Sequence, residues 1–168
     1  MNQLRFVKST TCAAVLALVF VGLGVMPVSA TTATTPLAVS ASVVASCTIN
    51  AGALSFGAYT GASAVTAQAT LTANCTNAAP YSVALDKGAG SGASITTRKL
   101  TASGGTLNYS LYQDAGFATL WGDGTTGTQA SGTGTGVNQT ITVYGQIPGS
   151  QAVTVGSYVD TVTATITY

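Results

Sequence analysis

Histidine and glutamate are absent from this chain of 168 residues, and charge of either sign is sparse. Five residues are lysine or arginine and four are acidic, all of them aspartate. General acid–base chemistry near neutral pH draws on histidine or on carboxylates in tuned surroundings. Here Asp86, Asp114, Asp123 and Asp160 stand singly. Asp86 and Asp123 sit in turn contexts, where aspartate bonds the backbone. No serine occupies a G-x-S-x-G turn. Few cysteines and no histidine fall short of a zinc set, and no spacing of acids matches a calcium loop. No basic patch exists to neutralise phosphates, which argues against nucleic acid as a partner. These absences point away from an enzyme, a metal site, a cofactor and a small-molecule substrate. One formal motif, Gly122-Asp123-Gly124-Thr125-Thr126-Gly127, matches G-x-G-x-x-G. The dinucleotide reading needs a helix next, and the Thr/Gly-rich run after Gly127 will not start one.

What is present begins with an apolar N-terminus. Arg5 and Lys8 precede an uncharged apolar run from Cys12 to Met26, and Val28-Ser29-Ala30 supplies small residues for cleavage. Residues 1–30 therefore read as a secretory signal peptide. The run is short for a membrane span, and Cys12 lacks a lipoprotein-type context. Cleavage after Ala30 leaves roughly 140 residues, enough for one domain with its own core. Cys47 and Cys75 remain. In an exported chain such a pair predicts a disulfide, the alternative being two buried free thiols.

Beyond Ala30 no stretch shows a helical apolar period, and Thr, Val and scattered Gly dominate. The pattern predicts an all-β domain, a sandwich or barrel. Strands are expected at Leu37–Ile49, Leu54–Phe56, Ala67–Cys75, Tyr81–Leu85, Arg98–Leu100, Leu107–Tyr112, Thr140–Ile147 and Tyr158–Tyr168, with a further piece at Ala152–Val155. Gly122–Gly136 reads as a long exposed loop. Tyr109, Tyr144 and Trp121 read as core or turn-packing residues.

The two ends carry the strongest alternation. Leu37, Val39, Ala41, Val43 and Ala45 share one face of an N-terminal arm at 31–46, preceded by a Thr/Pro stretch. The arm is either an ordinary first strand or a segment free to pair elsewhere. Tyr158, Val162, Ala164, Ile166 and Tyr168 share a face of the last strand, with Asp160 interrupting it. An acid on an apolar face needs a hydrogen-bonding partner. An uncovered edge strand is a pairing hazard.

Several blocks together resemble a known family. They are Phe56-Gly57-Ala58-Tyr59, Tyr109-Ser110-Leu111-Tyr112-Gln113-Asp114, Trp121-Gly122, Val143-Tyr144-Gly145-Gln146-Ile147-Pro148, and Gly156-Ser157-Tyr158-Val159-Asp160-Thr161-Val162, ending in Tyr168. In this order they resemble the spore coat U domain family, which includes the Csu-type subunits of archaic chaperone–usher pili. The resemblance implies an incomplete immunoglobulin-like β-sandwich at 47–168, lacking its last strand and completed by a donor strand from another molecule.

It further implies a periplasmic chaperone that lends a strand, an outer-membrane usher, and head-to-tail assembly with other copies or sister subunits. The expected product is a surface fimbrium of a Gram-negative-type bacterium, serving adhesion and biofilm formation. Leu37, Val39, Ala41, Val43 and Ala45 would then be the donor residues, and Tyr158, Val162, Ala164, Ile166 and Tyr168 the edge of the open groove. Two other readings stay open: a secreted spore or cyst coat protein, and a single-domain adhesive minor or tip subunit displaying Gly122–Gly136.

Overall fold

A computed structural model describes residues 28–168. The expected signal peptide lies almost wholly outside the described residues. Two units divide the chain between Ser40 and Ala41. The described part of the first, residues 28–40, is irregular and exposed throughout. The second unit carries all the regular structure, and no helix occurs among the described residues.

Eight strands form: β1 (Cys47–Ala51), β2 (Val65–Cys75), β3 (Pro80–Leu85), β4 (Arg98–Ala102), β5 (Gly105–Tyr112), β6 (Ala130–Thr133), β7 (Gln139–Ile147) and β8 (Ala164–Thr167). One sheet has the order β1-β2-β7-β5-β4 and the other β6-β3-β8, with antiparallel pairing in both. Period-two alternation sends Leu71, Ala73, Cys75, Val143 and Ile147 inward from the first sheet, where they meet Tyr81, Val83 and Leu85 of the second. Trp121 is fully buried in this layer and donates its indole N–H to the Val83 carbonyl at 2.9 Å.

Arg98 is also fully buried. Burial pulls its guanidinium below the ordinary value. The charge is tolerated because four main-chain carbonyls receive its N–H groups: Asp86 at 2.8 Å, Ile95 at 3.1 Å, Leu85 at 3.2 Å and Trp121 at 2.9 Å. A buried donor set costs little only when its hydrogen bonds are made. Arg98 thus fastens the end of β3 to the Trp121 loop.

The expected disulfide is present. Cys47 and Cys75 are bonded and stand directly opposite each other in the β1–β2 register. Closing a loop of 28 positions restricts the unfolded chain by about 3.6 kcal/mol in the chain-entropy account.

Several expected strands are shorter or missing. Leu37–Ile49 is a strand only from Cys47, because its partner β2 reaches only to Cys75, opposite Cys47. Leu54–Phe56 and Ala152–Val155 have strand-like alternation but no ladder. Tyr158–Tyr168 is a strand only over Ala164–Thr167, where β3 lies alongside. Gly122–Gly136 is not simply a loop, since it contains β6, paired to β3 from Pro80↔Thr133 to Val83↔Ala130. Gly132 permits this pairing: a Cβ there would lie 2.5 Å from the Tyr81 hydroxyl.

Candidate functional site: an apolar trough with unpaired margins

The order of the sheets leaves one side of the domain open. β1 is bonded only to β2, and β8 only to β3. These two edge strands approach each other without joining. Beyond β1 the chain runs on as Ala53–Thr60. Beyond β8, toward the N-terminus, lies Tyr158–Thr163. The two segments are the margins of a trough.

A cleft of about 340 Å³ lies between them, walled by Ala51–Leu54 and Phe56 on one side and by Asp160–Val162 and Ala164 on the other. Its floor includes Leu71, Leu85, Tyr109, Leu111 and Val143, which are core residues of both sheets. A wider cleft of about 1150 Å³ shares Leu54, Phe56 and Leu100 with the first and extends along Ala58–Gly61 and Ser150–Tyr158. The apolar interior is therefore reachable from outside along a continuous line.

The first margin is held at its ends and bare between them. Gly52 donates its N–H to the Thr70 carbonyl at 2.8 Å, and Gly61 receives Ser150 N–H at 2.7 Å. Between them, Ala53–Thr60 makes no backbone–backbone hydrogen bond among the described residues. Side chains fix its position. Leu54, Phe56 and Tyr59 turn inward at alternate or near-alternate positions. The Phe56 ring meets Tyr109 edge-on with centroids 5.9 Å apart. Gly145 makes room for this, since a Cβ there would lie 2.8 Å from the Phe56 ring. The Tyr59 hydroxyl donates to the Pro148 carbonyl at 3.0 Å and accepts the Gln151 N–H at 3.0 Å. Gln151 in turn pairs its amide with both backbone groups of Asn108, at 2.8 and 2.9 Å.

The second margin is tied by carboxylates. The Asp160 carboxylate accepts from Ala89 N–H and Thr161 N–H through Oδ1, each at 2.8 Å, and from the Tyr109 hydroxyl through Oδ2 at 2.7 Å. The acid on the apolar face is thus half-buried and paired. Burial and this bond to Asp160 push the Tyr109 phenol far above its ordinary value. Gly88 has φ +80°, and a Cβ there would collide with the Asp160 carboxylate, so the loop needs glycine on both counts. Asp86 accepts Gly88 N–H and Thr163 N–H, each at 2.9 Å. Val159 exchanges two backbone bonds with Thr101, at 2.8 and 3.0 Å.

Of the expected edge residues, Tyr158, Val162, Ala164 and Ile166 are half-buried on one face, as is Asp160. Tyr168 is 57 % exposed and does not share that face's burial. On the arm, Leu37, Val39 and Val43 are 86 %, 85 % and 86 % exposed, and Ala41 and Ala45 are exposed as well. Residues 28–46 form no strand. The sequence predicts only a short strand at Leu54–Phe56 in this margin, and nothing in its alternation signals that the ladder is missing. No group of acids, cysteines or histidines suited to a metal occurs among the described residues, and no lysine lines the cleft that contains Asp160.

The domain is all-β with an accessible core, a first margin bare along Ala53–Thr60, and a second margin whose backbone is bonded only locally among the described residues, to Thr101 and Asp86, before β8 joins β3. The sequence profile of the Spore Coat Protein U domain matches residues 33–165, and the chain belongs to that family. Protein U of Myxococcus xanthus is 40% identical over 82 residues, which are 48% of this chain and 45% of that protein. The chain thus covers less than half of that relative. A solved structure, the CsuC–CsuE chaperone–tip adhesion subunit pre-assembly complex from archaic chaperone–usher Csu pili of Acinetobacter baumannii, contains a chain of similar fold. The TM-score is 0.53 at 20% identity, over 75% of this chain and 40% of that one.

Proposed function

We propose that this chain is a structural subunit, exported through the periplasm, that polymerises at the cell surface by donor-strand exchange. One observation carries the reading. The trough's first margin makes no backbone–backbone hydrogen bond along Ala53–Thr60 among the described residues, β8 on its second margin has a neighbour on one side only, and the same chain bears an exposed arm with apolar residues at every second position. The arm of a second copy, inserted between Ala53–Thr60 and Tyr158–Thr167, would supply main-chain bonds to one or both margins. Leu37, Val39, Ala41, Val43 and Ala45 would face the floor, each Leu or Val contributing roughly 1.5–3 kcal/mol on burial. A head-to-tail contact of this kind does not close on itself and yields a filament.

An empty trough is also an aggregation hazard. A periplasmic chaperone that lends a strand until an outer-membrane usher passes the subunit on would remove that hazard. The fold likeness to a chain from a chaperone–subunit complex supports this part. The role is structural rather than catalytic. A pilus serving adhesion and biofilm formation is the reading favoured here. Membership of the Spore Coat Protein U family supports a second one, a secreted coat built by the same joint. A minor or tip subunit displaying Gly122–Gly136 draws less support, because β6 and the Asp123 turn tie that segment to its own domain.

The test is the double substitution Val39→Asp with Val43→Asp. Fibres seen by electron microscopy on cells with the natural gene are expected to vanish, while the chaperone complex still forms. Long fibres from the double variant would sink the strand-exchange reading. Loss of a spore or cyst coat layer instead of fibres would favour the coat role.

A further inference from the structure

The trough is apolar with one charged exception. Among the residues lining the 340 Å³ cleft, Asp160 alone carries charge. Its carboxylate has one lone-pair site of about four left open. Oδ1 accepts two N–H groups, whereas Oδ2 accepts only the Tyr109 hydroxyl among the described residues. Asp160 is only half-buried and lines the open trough, which leaves the remaining lone pair of Oδ2 free to be hydrated while the trough is empty. A strand that fills the trough excludes water there, and a bulky apolar side chain over Asp160 would leave that remaining lone pair of a charged acceptor dry. Such a group is costly to bury. An alanine or a small hydroxyl leaves room for a water or a donor.

We infer that Asp160 sets the register of the occupying strand, and that Ala41 of the arm is the residue placed over it. This rests on the strand-exchange reading. The arm's inward row is Leu37, Val39, Ala41, Val43 and Ala45, with two small positions. On both sides of Asp160 the margin presents apolar half-buried residues, Tyr158 and Val162. A strand has a period of two, so bulky residues must flank the small one on both sides. Ala41 has Val39 before it and Val43 after it. Ala45 is followed at that spacing by Cys47, which is held in its own domain's disulfide. Ala41 alone fits.

The test is a double-mutant cycle on polymerisation of the full chain. Ala41→Val is expected to slow assembly about tenfold or more, the scale of one lost hydrogen bond to a charged group, and Ala45→Val by much less. In chains that also carry Asp160→Asn, which keeps the shape and removes the charge, the Ala41→Val penalty is expected to fall to threefold or below. Asp160→Ala extends the cycle if that variant folds, and the Asp160→Asn variant decides the matter if it does not. Equal penalties from Ala41→Val with and without Asp160→Asn would overturn the assignment while leaving strand exchange intact. An unsubstituted chain that never polymerises would remove both.

Discussion

Two stretches of eleven residues invite comparison: β2, Val65–Cys75, and the C-terminal segment Tyr158–Tyr168. Both alternate small apolar residues with threonine or other polar side chains, and both are suited to strands. β2 has β1 along one side and β7 along the other, the latter for nine successive residues. The C-terminal segment is paired to β3 over four residues and is open opposite them. The difference lies in the neighbours and not in the composition. A strand-forming sequence with a neighbour on one side only keeps an open edge.

The largest effect expected concerns the paired side. Replacing Cys47 and Cys75 together by alanine releases the clamp at the root of the arm. Denaturant unfolding should show a loss of about 3.6 kcal/mol, and an unchanged midpoint would show that β1 needs no staple.

Leu71→Ala in β2 and Val162→Ala on the margin set the two stretches side by side. Leu71 is buried in the core, and its truncation should cost the isolated subunit about 3 kcal/mol. Val162 is only half-buried, so its truncation should cost the subunit about 1 kcal/mol or less and weaken assembly more than folding. Equal losses in the isolated subunit would mean that the margin is already fully packed.

Gly145→Ala acts between the two regions. The added methyl would press on Phe56 and Leu54, at a cost of about 1–2 kcal/mol. It should also break the ring contact between Phe56 and Tyr109, which nuclear Overhauser effects can follow. A preserved contact would show that the first margin is held by something other than the floor of β7.

The smallest effect is one of pH. Burial pushes the Asp86 carboxyl up, but the N–H groups of Thr163 and Gly88 outweigh it, with help from the Arg98 charge, and hold it below the usual 3.8. A carboxyl lower in the folded state than in the unfolded one stabilises fully above its unfolded value. That contribution is lost as pH falls below 3.8 through the lowered native value. Asp86→Asn should therefore destabilise at about pH 6 and make little difference well into the acid range. An equal effect at both ends would remove Asp86 as a tie to Thr163.

Much of the fold was legible from alternation, and β2, β3, β5 and β7 lie where it placed them to within two residues. The failures share a cause, which is that pairing is a property of two segments. Leu37–Ala45 alternates as well as any strand here yet has no ladder. β6 lies in a Gly/Thr run with no apolar period, and it exists because β3 offers backbone groups and Gly132 leaves space for Tyr81. Arg98 looked like the polar start of a strand, and nothing in its neighbours announced the four carbonyls, distant in sequence or not, that surround it. The acid on the apolar face was visible as an anomaly. Its partners at Ala89 and Tyr109 were not, because they come from 71 and 51 positions away.

In the proposed joint, the arm of another copy completes the margins of the trough. Amide hydrogen exchange of the full chain, separated into monomer and polymer, tests it residue by residue. Strand exchange predicts fast exchange in the monomer along Ala53–Thr60 and in the Leu37–Ala45 arm, and a gain of protection in the polymer in the arm and along one or both margins, Ala53–Thr60 and Tyr158–Thr167. Protection that leaves both the margins and the arm unchanged on assembly would contradict it.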